Sequence, residues 1–123
     1  MRILVASEDA GLLRTIVTVL KRPGREIAFT RRPKFACALA KRVRFDLLLV
    51  DLLMRPLGGD DVVLRLRAQG VAVPALVMAA RSTETWARLL RVPRVMALAK
   101  PFTADELELA VEDAIARWCL SAA

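Results

Sequence analysis

Five short, mainly apolar runs, Ile3 to Ala6, Ile27 to Thr30, Leu47 to Val50, Leu76 to Ala79 and Val95 to Leu98, each precede a longer stretch with helical spacing. A strand with one wet face alternates apolar and polar residues, whereas a strand covered by helices on both faces is apolar throughout. The chain is therefore expected to form five βα units around a parallel sheet, a three-layer doubly wound α/β sandwich. Leu13, Ile16, Val17 and Leu20 make the stripe of a first helix that stops before Pro23-Gly24, and Pro33 suits the first turn of a second, burying Phe35, Leu39 and Val43. Gly58-Gly59-Asp60-Asp61 runs into a third helix closed by Gly70, Ser82 is placed to cap a fourth ending at Leu90, and Thr103 with Glu106 forms a capping box for a fifth. Leu107, Val111, Ala114 or Ile115, and Trp118 supply the core stripe of that last helix.

At 123 residues the expectation is one domain over 1–123, with no effector domain. The longest apolar stretch, Val71 to Ala80, is too short to span a bilayer, and the first run meets Ser7, Glu8 and Asp9 too soon for a signal peptide. A cytoplasmic location is expected. Histidine is absent, which removes the usual general base and zinc ligand, and Cys37 and Cys119 form no Cys-x-x-Cys pair. Neither a P-loop nor a dinucleotide fingerprint occurs, and Glu8 and Asp9 would repel a flavin phosphate in the first βα loop. A binding or signalling module is favoured over an enzyme.

Asp51 ends the third apolar run, Glu8 and Asp9 end the first, and Lys100-Pro101-Phe102 ends the fifth. Open α/β sheets place their chemistry at the C-terminal strand ends, so these groups are expected at one edge. Carboxylates and a lysine gathered there suit a metal ion and a phosphoryl group.

Arg2 to Asp9, Phe45 to Leu52, Gly58-Gly59 and Lys100-Pro101-Phe102 together resemble the receiver domain of bacterial two-component response regulators, over nearly the whole chain. The resemblance implies a sheet of order 2-1-3-4-5. It implies that Asp51 accepts a phosphoryl group from a sensor histidine kinase or phosphotransfer protein, and that Lys100 pairs with the phosphoryl oxygens. Mg²⁺ would lie among Glu8, Asp51 and the backbone carbonyl of Leu53, and the Lys100-Pro101 bond would be cis. Output would pass to a downstream protein partner.

Several positions depart from that pattern. Ser7 and Glu8 stand where two adjacent acids end the first strand, so magnesium affinity should fall, and Asp9 is expected to start the first helix instead of substituting. Ala79 replaces the hydroxyl residue of the fourth strand, and Ala97 replaces the mobile aromatic of the fifth. Arg55 follows Met54 where proline is usual, with Pro56 one place late. Two readings stay open: a magnesium-dependent phosphoryl acceptor, or a phosphorylation-independent receiver-like binding module in which Asp51 and Lys100 form a structural pair.

Charge is uneven, with 11 Lys/Arg against 3 Asp/Glu in residues 1–44 and 9 against 10 in the remainder. Arg31, Arg32, Lys34, Lys41, Arg42 and Arg44 flank the second helix and suit an acidic protein or a nucleic acid. Nucleic acid ranks lower, because only Phe29 and Phe35 are there to stack bases and both are expected in the core. Trp86, Arg88, Arg91 and Arg94, with Ala97, Glu108, Glu112 and Asp113, are expected on one side, which the resemblance implies is an output and homodimer surface.

Overall fold

The computed structural model describes residues 1–80 and 83–119, without the side chains of Thr83 and Thr85. Five strands, β1 (Arg2–Ala6), β2 (Glu26–Thr30), β3 (Leu47–Asp51), β4 (Ala75–Ala80) and β5 (Val95–Lys100), alternate with five helices. These are α1 (Ala10–Leu20), α2 (Pro33–Arg42), α3 (Gly59–Ala68), α4 (Thr83–Leu89) and α5 (Ala104–Trp118). All strand pairs are parallel and the order is β2-β1-β3-β4-β5, as expected.

Alternation of side chains along each strand divides the core in two. Ile3, Val5, Leu47, Leu49, Leu76, Met78 and Leu98 pack under α1 and α5 against Leu13, Ile16, Leu20, Leu107 and Val111. Leu4, Ala6, Leu48, Val50, Ala75, Val77 and Val95 face the other way, against Ala36, Ala40, Val62, Val63, Leu66 and Leu89 of α2, α3 and α4. β3 is buried at all five positions, which is why its sequence shows no polar alternation.

Local signals hold at most helix ends. Asp9 caps α1 by accepting from Leu12 N–H at 3.0 Å, Pro33 opens α2, and Thr103 and Glu106 form the reciprocal capping box of α5. Asp61 accepts from Gly58 N–H at 3.1 Å at the start of α3. Ser82, expected to cap α4, lies outside the described residues. The two glycines before α3 are required by close approach: a Cβ on Gly59 would sit 2.5 Å from the Asp51 carbonyl oxygen, and one on Gly58 2.8 Å from that of Leu52. They let α3 start directly against the end of β3.

Two core assignments are corrected. Phe29 is 60% exposed and Phe35 52% exposed. β2 is the edge of the sheet, with no strand beyond it to help cover Phe29, and α2 turns Pro33, Ala36 and Ala40 inward instead of Phe35. Trp118 does pack against the α1–α5 core layer. Arg67, unremarked in the sequence, reaches from α3 to the carbonyls of Val71, Val73, Pro93 and Arg94 at 2.7–3.3 Å. Burial and then the nearby Arg94 charge push its pKa down. Its bonds fix the turn into β5, where Arg94 takes the left-handed conformation at φ 58°.

Candidate functional site

Strand parity brings the polar residues together. Ser7 continues the Ile3, Val5 row, Asp51 the Leu47, Leu49 row, and Lys100 follows Leu98, so all three rise on the α1–α5 side at the C-terminal edge. Asp51 is 3% exposed. Its Oδ1 accepts from Lys100 Nζ at 2.7 Å and from Leu53 N–H at 3.1 Å, while Oδ2 accepts from the Ser7 hydroxyl at 3.0 Å. Ser7, itself fully buried, accepts in turn from Asp9 N–H at 3.2 Å. Both oxygens of the carboxylate are thus occupied, which offsets the cost of burying its charge.

Glu8 is spent elsewhere. Its carboxylate accepts from Arg55 N–H, and its backbone carbonyl accepts from Arg31 Nε at 2.9 Å. Asp9 is committed to the α1 cap. The Lys100-Pro101 peptide is cis, and so is Arg55-Pro56.

Ala79 and Ala97 have the opposite parity to Asp51. They share the rows of Val77 and Val95, whose side chains pack towards α2, α3 and α4. A hydroxyl or an aromatic ring at those places would lie between the site and α4; methyl groups offer neither hydrogen bond nor swing. Trp86 holds that region instead, donating its indole N–H to the Ala80 carbonyl at 3.1 Å. That tether ties α4 to the end of β4 and was not legible in the sequence, where Trp86 is expected on the output and homodimer surface.

The expected charged side of the molecule is rearranged. Glu108 pairs with Arg22 at 2.8 Å and Arg25 at 3.3 Å, on the α1–β2 connection, and does not join Arg88, Arg91 and Arg94. The cause is packing: α5 lies beside α1 on the same sheet face, and Leu107 next to Glu108 is buried there. Arg88 meets Asp60 at 3.4 Å and Asp113 meets Arg117 at 3.2 Å, both on the surface, while Arg91, Arg94 and Glu112 are exposed. Such exposed pairs contribute little to stability.

Receiver domains generally bind Mg²⁺ at an acidic site. Magnesium asks for near-octahedral oxygen ligands, usually including one or two carboxylates. Here the donor set does not fit it. The Asp51 oxygens already take three donors, Lys100 places a positive charge against Oδ1, Ser7 supplies a neutral hydroxyl whose proton points to Asp51, and Glu8 is bonded to Arg55. Among the described residues, no three Asp, Glu, Cys or His side chains are close enough together to hold a metal.

Comparison with known proteins agrees with the fold. Residues 3–112 match the family described as the response regulator receiver domain. The chain is 31% identical over 110 residues to the alginate biosynthesis transcriptional regulatory protein AlgB of Pseudomonas aeruginosa, covering 89% of this chain and 24% of that protein. The Francisella response regulator 1452 receiver domain superposes with TM-score 0.86 at 28% identity, covering 94% of this chain and 97% of that one. The chemotaxis response regulator CheY4 of Vibrio cholerae shares the fold at TM-score 0.83 and 21% identity, covering 92% and 97% of the two chains. The chain spans less than half the length of the curated relatives it matches, 45%, 33% and 24% in three of them. Receiver domains are generally signalling modules, not enzymes, and interact with histidine kinases or phosphotransfer proteins. No helix among the described residues is long and apolar enough to cross a membrane. With its sheet order, its strand-end Asp51 and Lys100, and the family match over residues 3–112, the chain belongs to the response regulator receiver domain family of two-component systems.

Proposed function

We propose that this receiver domain acts as a protein-binding module whose surface is presented independently of phosphorylation, with Asp51 serving as the fixed partner of Lys100 and Ser7. The observation that carries this reading is the engagement of both Asp51 oxygens, Oδ1 by Lys100 and Leu53 and Oδ2 by Ser7, while Glu8 is held by Arg55. A phosphoryl group on Oδ2 would compete with the Ser7 hydroxyl for that oxygen, and Ala79 and Ala97 offer neither a hydroxyl nor a ring to pass its arrival on to α4. A ligand that makes no differential contacts in two states shifts neither. Partner recognition then belongs to the static surface, and Asp51→Asn, which keeps an oxygen acceptor and a polar side chain of the same shape, leaves it intact.

The test is chemical. The chain is incubated with acetyl phosphate and Mg²⁺ and its intact mass is followed, with Asp51→Asn alongside. The expected result is no Asp51-dependent gain of a phosphoryl group. Near-stoichiometric labelling that disappears in Asp51→Asn would establish the other reading, a phosphoryl acceptor fed by a histidine kinase or phosphotransfer protein.

A further inference from the structure

The basic N-terminal portion of the chain borders an open groove of about 730 Å³ at the β2 edge, whose lining does not include Asp51. Ala10, Leu13 and Val17 of α1 line one side, and Phe29 of β2 and Phe35 of α2 line the other. Both phenyl rings are more than half exposed. An apolar patch of this kind on a sheet edge marks an interaction site when it is contiguous and rimmed by polar groups. The rim here is cationic: Arg14, Arg31 and Arg32 border the groove, and Lys34 follows on α2, exposed.

Among the described residues none of these four cations forms an ion pair with an acid. Arg31 has one bond, to the Glu8 carbonyl. Asp9, next to Ala10 of the lining, is engaged by the Leu12 amide, and the Glu8 carboxylate by the Arg55 amide. Arg2, Arg22, Arg25, Arg88 and Arg117 have carboxylate partners, whereas other described cations such as Lys41, Arg42 and Arg44 lack one as the groove cations do, and what sets the groove apart is its exposed apolar lining. The groove therefore concentrates two unmet requirements in one place: apolar area without cover and positive charge without a counter-ion.

We propose that this groove binds an acidic peptide segment of a partner protein, with an aromatic or aliphatic side chain seated between Val17, Phe29 and Phe35 and flanking Asp or Glu residues paired with Arg14, Arg31 and Arg32. The volume suits an inserted side chain with its neighbours. Interface cores favour aromatic and arginine side chains, and opposite charge at the rim speeds encounter and excludes cationic competitors. A nucleic acid is the weaker fit, because the lining between the rings is aliphatic and offers no succession of stacking platforms along a strand. This inference rests on the reading that the domain acts by protein contact, and adds the place and the chemistry of the contact.

The test is selection of random 16-residue displayed peptides on the immobilised 123-residue chain, followed by fluorescence anisotropy of the enriched sequences. Enrichment of peptides with excess Asp and Glu around an apolar anchor is expected. Their affinity should drop roughly tenfold or more in Phe35→Ser and in Arg14→Glu/Arg32→Glu, as truncation of interface anchors typically does. These residues are exposed, and circular dichroism checks that each variant keeps its fold. Failure to enrich any peptide, an enriched set without acidic excess, or affinities unchanged by both variants would overturn the proposal. So would tighter binding of oligothymidylate at the same residues, or self-association abolished by Phe35→Ser. A peptide bound on another face would sink the groove and leave the protein-binding reading standing, whereas phosphoryl labelling of Asp51 would sink that reading and leave the groove measurable.

Discussion

Ser7 and Asp51, 44 positions apart in sequence, share a buried hydrogen bond of 3.0 Å from the Ser7 hydroxyl to Oδ2 of the carboxylate. In this chain a neutral donor stands where the receiver pattern places an acid, and it holds one oxygen of the buried carboxylate by a hydrogen bond. Removing the hydroxyl leaves Oδ2 buried without a donor, a loss of about 1–3 kcal/mol. Ser7→Ala should lower the unfolding free energy by that amount, seen as a lower urea midpoint at an unchanged slope. Ser7→Asp should be destabilised without magnesium by like-charge repulsion and recover stability as Mg²⁺ is added, a response the parent chain should lack.

Lys100 and Asp51 are a second case in which pairing matters more than either charge. The Asp51 side chain is 4% exposed and Lys100 24%. Lys100→Met leaves a buried carboxylate uncompensated and should cost roughly 3 kcal/mol, whereas Lys100→Met combined with Asp51→Leu should recover most of it. Chemical denaturation of the two single variants and the double variant gives the coupling directly.

The α3 start depends on absent side chains. Gly59→Ala places a methyl group 2.5 Å from the Asp51 carbonyl oxygen, against backbone that has nowhere to yield. A loss of about 1–3 kcal/mol is expected from this overpacking. Thermal unfolding of Gly59→Ala beside Gly70→Ala separates the two mechanisms, since Gly70 has open space around its Cβ position and only its positive φ of 79° to resist substitution.

Both cysteines are free thiols, and burial raises the pKa of each, aided at Cys119 by Asp46 and opposed at Cys37 by Arg65 and Lys41. The folded state holds these protons more tightly than the unfolded chain. Their contribution is complete below the ordinary thiol pKa and is lost as pH rises through the folded values. Stability measured by denaturation should therefore fall above about pH 8.5, and the fall should be shallower in Cys37→Ala/Cys119→Ala. An equal slope in both proteins would contradict the assignment.

Most of the fold was legible because it rests on short-range rules. Uninterrupted apolar runs marked the buried strands, and Asp9, Pro33, Thr103 and Glu106 marked helix starts through bonds made within one turn. The positions of Asp51 and Lys100 followed from the same rules, since each ends a strand. What escaped depended on three-dimensional neighbours. Phe29 and Phe35 looked like core because strand and helix periodicity say nothing about a sheet's edge. The Glu8–Arg55 contact, the Trp86 tether to Ala80 and the Arg25–Glu108 pair each join residues whose meeting is set by packing. Local pattern could show that acids were available, but not that each would already be engaged.

Closure of the Asp51 centre is measured by amide NMR of the chain titrated with Mg²⁺ and then beryllofluoride, a mimic of the aspartyl phosphoryl group, with Asp51→Asn as control. With the centre closed, resonances of Ser7, Glu8, Leu53 and Lys100 stay in place at millimolar concentrations and match the control's response. Saturable shifts at those residues that vanish in Asp51→Asn, spreading to Trp86 and Ala97, would contradict it and restore a phosphorylation switch.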